Sequence, residues 1–145
     1  MATELEQIID EILEMDIAER VAFGRTALQR FIKGLHAGGL DNDHINRAIS
    51  NFTKLFVSAD RSCHGDEYSY FKAITGVDMS PTDFFKLTNN GADPKFIEAC
   101  MQFVNILHAN DRMAVALYGA ALLACDEKVT DNEKELLAKI YYSGN

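Results

Sequence analysis

A chain of 145 residues, 48% of them hydrophobic and only two of them proline, is long enough for a single domain with a real core and excludes long disordered tracts. A formal net charge of −8 works against phosphate backbones and anionic lipid surfaces, so no nucleic-acid partner is expected, while metal cations and basic protein partners stay open. Cys63, Cys100 and Cys125 stand far apart with no CxxC pair, the opening Met1-Ala2-Thr3-Glu4 has no basic or apolar leader, and the longest apolar run (Met113 to Cys125) is too short for a bilayer. The expectation is a cytoplasmic protein with no disulfide framework and no membrane insertion.

The elements read as helices throughout. Thr3-x-x-Glu6 is a capping box ahead of the stripe Leu5, Ile8, Ile9, Ile12, Leu13. Asp16 caps a longer helix whose apolar residues Ile17, Val21, Leu28, Phe31, Ile32 and Leu35 keep helical spacing until Gly38-Gly39. Asp41 or Asn42 starts a third helix, which runs to about Ala59 with Ile45, Ile49, Phe52, Leu55 and Phe56 on its buried face. After a polar loop, a fourth helix spans about 66–75 and ends at Gly76.

Ser80-Pro81 opens a short helix that stops by Asn89-Asn90-Gly91, and Asp93-Pro94 opens another carrying Phe96, Ile97, Cys100, Met101, Val104 and Leu107. Asn110-Asp111 caps the penultimate helix, whose small residues Ala114, Ala116, Gly119, Ala120 and Ala121 place it at the centre of a bundle. Thr130-x-x-Glu133 is a capping box that opens the last helix. No segment reads as a strand. The predicted fold is all-α, a compact bundle of about seven to eight helices. It forms a single domain over 1–145, with N-terminal helices in 1–40 and a core over 41–142.

Within that core, the segment Val57 to Glu67 aligns at constant offset with Leu123 to Glu133. Asp60 falls on Asp126 and Glu67 on Glu133, with apolar Phe71 and Leu137 four residues after each Glu. The chain is thus read as an internal two-fold repeat of helix–acidic loop–helix units. Each Asp stands where a helix ends, against the partial negative charge of its carbonyls, an unfavourable placement of roughly 0.3–1 kcal/mol. Either a cation meets it or donated loop N–H groups do. Glu133 is accounted for by its capping box, and Glu67 lies in a comparable first turn.

The candidate metal ligands are Asp60 and Asp126, then Glu67 and Glu133, then Asp131. The expected cofactor is a divalent ion, calcium, magnesium, manganese or zinc. Neither loop is an EF-hand, because the stretch from Asp to Glu is too short and lacks its central Gly. Cys63-His64 offers zinc two adjacent ligands and no second pair. HExxH, Walker A, GxGxxG, GxSxG and paired Glu-x-x-His motifs are all missing, and no enzymatic activity is expected. The alternative is a metal-independent interaction module, with Tyr68 as the best partner-facing residue in the cluster Tyr68, Tyr70, Phe71, Phe84 and Phe85.

The twice-used order of apolar helix, Ala/Cys-Asp, short loop, Glu and apolar helix resembles the tellurite-resistance TerB-like family over Asp41 to Tyr142. The matching residues are Ala59-Asp60 with Glu67, and Cys125-Asp126 with Val129 and Glu133. The family's pattern has Gly after the Asp, where this chain has Arg61 and Glu127. The resemblance implies an all-helical fold with two-fold character and divalent-cation binding at the acidic positions. It also implies a bacterial stress setting, a protein partner and a non-enzymatic accessory or scaffold role.

Overall fold

A computed structural model describes residues 2–59 and 65–143. The described residues form eight α-helices and no strand: α1 (Glu4–Glu14), α2 (Ile17–Ala37), α3 (Asn42–Val57), α4 (Gly65–Thr75), α5 (Pro81–Thr88), α6 (Pro94–Ile106), α7 (Ala109–Leu123) and α8 (Asp131–Tyr141). A short 3-10 turn, Ala124–Asp126, continues α7. None of the helices is long and apolar enough to cross a membrane.

Local chemistry sets most of the boundaries. Full capping boxes open α1 at Thr3, α2 at Asp16 and α8 at Thr130, each pairing the cap oxygen with the backbone three residues on. Ser80 with Pro81 and Asp93 with Pro94 open α5 and α6 as the sequence predicts. The end of α2 is a Schellman motif: Leu40 N–H reaches Leu35 O at 3.1 Å and Gly39 N–H reaches His36 O at 3.0 Å, with Gly39 at φ 95°.

Helix α7 lies at the centre. Its residues from Ala114 to Leu123 are buried except for the half-buried Leu117, and its widest contact is with α2, then α8. Small residues make that approach possible. A Cβ on Gly119 would lie 2.7 Å from the Phe56 ring, and one on Gly24 would lie 2.9 Å from the Ala121 Cβ. Around them Phe31 meets Phe52 edge-on at 5.8 Å, Phe52 stacks on Phe56 at 6.1 Å, and Phe56 meets Tyr118 at 6.2 Å. The buried Tyr118 hydroxyl is satisfied at 2.7 Å by Thr53 Oγ1, whose own proton goes to Ile49 O.

Two local expectations are corrected. The N-cap of α7 is His108, not Asn110 or Asp111, and it makes no side-chain cap bond. Asp111 instead lies inside the first turn, where an acid suits the helix dipole, packed on Gly34 in a space no Cβ could share. In α2 the buried line runs through Arg20, Gly24, Ala27, Leu28, Phe31 and Leu35, while Ile17 is 61% exposed and Val21 is only half-buried. The arginine takes the core-facing position because its hydrogen-bond partners are inside.

Candidate functional site: an acidic centre around Cys125

The first turns of α4 and α8 each hold a buried glutamate, Glu67 and Glu133, both 4% exposed. Helix α4 packs on both α7 and the 3-10 turn, and α8 packs on α7, so the two first turns are held beside the end of α7. The 3-10 turn at that end carries the buried thiol of Cys125. Burial is the main force that raises it well above the usual thiol range, and the charges of Glu67, Asp126, Asp66 and Glu133 raise it further. Four carboxylates from α4, the 3-10 turn and α8 therefore act on one sulfur, and Cys125 stays a neutral, inert thiol.

Glu133 is placed by helix-start chemistry. Glu133 Oε1 accepts from Thr130 N–H at 2.8 Å while Thr130 Oγ1 accepts from Glu133 N–H at 3.2 Å. The positive ends of α4 and α8 favour both acids further. Asp126 closes the 3-10 turn and is half-buried, and Asp131 is exposed at the first position of α8. Asp60, Cys63 and His64 lie outside the described residues.

The end of α7 is met by a positive charge that belongs to the chain itself. Arg20 is 2% exposed. Its guanidinium donates to Ala124 O at 3.2 Å, to Ile12 O at 3.0 Å and Leu13 O at 2.8 Å at the end of α1, and to the Tyr70 hydroxyl at 3.4 Å. It also forks onto Glu127, at 3.0 Å to Oε1 and 2.8 Å to Oε2. This pairing raises the guanidinium's affinity for its proton and holds the Glu127 carboxyl below the ordinary range.

Glu127 caps the turn at φ 68°, a left-handed conformation that favours glycine. Its fork with Arg20 offsets that backbone cost. A residue that sequence reading marks as a loop oxygen donor and by the lack of a glycine is thus paired with Arg20.

Sequence reasoning missed Arg20. A signal was present: a charge at helical spacing with Gly24, Ala27, Leu28 and Phe31 stands on a buried stripe, and a buried cation requires partners. Tyr68, expected to face a partner, is half-buried. Its hydroxyl donates to Met79 O at 2.5 Å and its ring packs edge-on against Phe84 at 5.6 Å. Tyr70, Phe71 and Phe84 are buried, and Phe85, 49% exposed, is the aromatic of that cluster that faces solvent.

The donor set at the centre is all oxygen apart from the buried thiol, which suits hard cations. Among the described residues, no three His, Cys, Asp or Glu side chains are gathered closely enough to enclose a metal ion. Comparison with protein-family models, with curated proteins and with solved structures finds no match to this chain.

Proposed function

We propose that this chain is a non-enzymatic, divalent-cation-binding accessory or scaffold protein of the tellurite-resistance TerB-like type. It works in the cytoplasm with a protein partner, and its acidic centre around Cys125 is the cation site. The supporting observation is that Glu67 and Glu133, each 4% exposed, occupy matching first turns while their charges reach the same thiol. Concentrating carboxylates in a place shielded from water is costly unless positive charge is close by. Arg20 is taken up by Glu127 and by carbonyls at the ends of α1 and α7, and a bound cation would supply that charge. The repeat read from the sequence gives the two halves equivalent roles, with Asp126 and Glu133 from one, and Asp60 and Glu67 from the other.

The described donors are too sparse for a closed cage, so the ion would keep part of its hydration shell. Magnesium behaves this way, and weak calcium or manganese sites resemble it. Zinc, which prefers a closed tetrahedron of nitrogen and sulfur, fits least.

The test is a thermal melt titrated with each of the four ions. The expected outcome is a concentration-dependent rise with magnesium, calcium or manganese, about 2.7 kcal/mol at one hundred times the dissociation constant. Asp60→Asn with Asp126→Asn should remove it. A melting temperature indifferent to all four ions overturns the cation reading. The chain would then read as a metal-independent interaction module, with exposed Phe85 as the first surface to probe.

A further inference from the structure

A half-open cleft of about 240 Å³ runs between α3 and α6. Its floor and far wall are apolar: Phe52 and Cys100 are buried, and Phe96 and Phe103 are half-buried. Burial pushes the Cys100 thiol up to about 11, so that wall carries no charge at neutral pH. The near wall, one face of α3, carries Arg47 and Asn51 at its mouth. His44 also lines it, but its ring is taken by Asp41 at 2.7 Å.

Arg47 is the arginine that lines this cleft. It is exposed and makes no hydrogen bond or ion pair among the described residues. Lys54 adds a second positive charge near this cleft, its ammonium 4.5 Å from the centre of the Phe96 ring. In a chain of net charge −8, an aromatic cleft whose mouth is cationic is a local inversion of sign. Its volume falls below the roughly 300–1,000 Å³ of drug-sized sites, which favours a small occupant.

We propose that the α3–α6 cleft binds a small amphiphilic carboxylate, with the apolar tail on Phe52, Phe96 and Phe103 and the carboxylate against Arg47 and Asn51. The guanidinium offers the fork that a carboxylate matches in two parallel hydrogen bonds, and the ring faces take the tail by area burial. This site is separate from the acidic centre and does not depend on it.

The experiment is calorimetric titration of the full chain with decanoate below its micellar range, with decyltrimethylammonium as the same-tail cation. The expected result is saturable one-to-one binding of decanoate and none of the cation. Arg47→Glu should weaken binding by about tenfold or more, and Ala99→Trp, at an exposed position lining the cleft, should abolish it. Both variants should melt as the parent does. The proposal is overturned if the parent shows no saturable binding, if the two amphiphiles bind alike, or if both variants bind decanoate unchanged. It is equally overturned if the parent self-associates and Ala99→Trp makes it monomeric, because the cleft would then seat a second copy.

Discussion

Glu127 shows how a single side chain can replace the residue type that a backbone conformation prefers. At φ 68° a glycine would meet no steric cost, yet the chain places there a carboxylate whose two oxygens face the Arg20 fork. The arginine was present in the sequence as a charge on an apolar stripe, but its partner could not be read, because the two residues meet across most of the chain. The link has a pH signature. Glu127 has a carboxyl held below its unfolded value, so the stabilisation it gives is complete above the ordinary carboxylate range. It is lost as the pH falls through the lowered folded value. Glu127→Gln should therefore lose stability at neutral pH and show a shallower decline between pH 5 and 3 than the parent, as read from urea midpoints across that range. A parent and variant with parallel acid limbs would show that the ion pair does not contribute to acid stability.

Helix ends in this bundle are finished from two sources. Six of the starts are local: Thr3, Asp16, Asp41, Ser80, Asp93 and Thr130 each accept from a backbone N–H within three residues, and spacing marked them, with Asp41 as one of two candidates, whereas α7 starts at His108 with no side-chain cap. Several of the stops are tertiary. Helices α1, α6 and α7 have no basic residue in their last turns. Their terminal carbonyls are met instead by arginines from other helices, Arg20 at α1 and α7 and Arg112 Nη1 on Leu107 O at 2.7 Å for α6. Such long-range stops leave no short-range pattern in a sequence. The central place of α7 was legible for the opposite reason, since a run of small and apolar residues with no polar face has nowhere else to go. That packing has little slack at Gly119. Gly119→Ala must displace the Phe56 ring and should cost about 1–3 kcal/mol despite the better helix propensity of alanine, read as a lower urea midpoint at unchanged slope. A neutral or stabilising result would mean the ring relaxes freely.

Across the whole molecule, the buried apolar residues from Leu5 to Tyr141 make one continuous cluster, and the widest contact joins α2 to α7. The all-helical class, a count of about seven to eight helices and the identity of most core residues followed from periodicity. How the acidic segments sit with respect to one another did not, because an offset in sequence says nothing about where two turns meet in space. It took the packing of α4 on the end of α7 to bring the charges of Glu67 and Glu133 to bear on Cys125. The same packing predicts that a chain lacking residues 1–40 should not hold the remaining helices in place. Removing Arg20, Phe31 and the α2 face of α7's groove should give a species without a cooperative thermal transition by circular dichroism, and a sharp melt from that fragment would refute the prediction.

Arg20 also bears on the order of assembly. Its guanidinium gathers groups from residues as far apart in the chain as Ile12, Tyr70, Ala124 and Glu127, so the complete set of bonds exists only after distant segments have docked. Its Nε proton, shut in against Ile12 O, should exchange with solvent only when that docking is undone, making one side-chain resonance a clock for global opening.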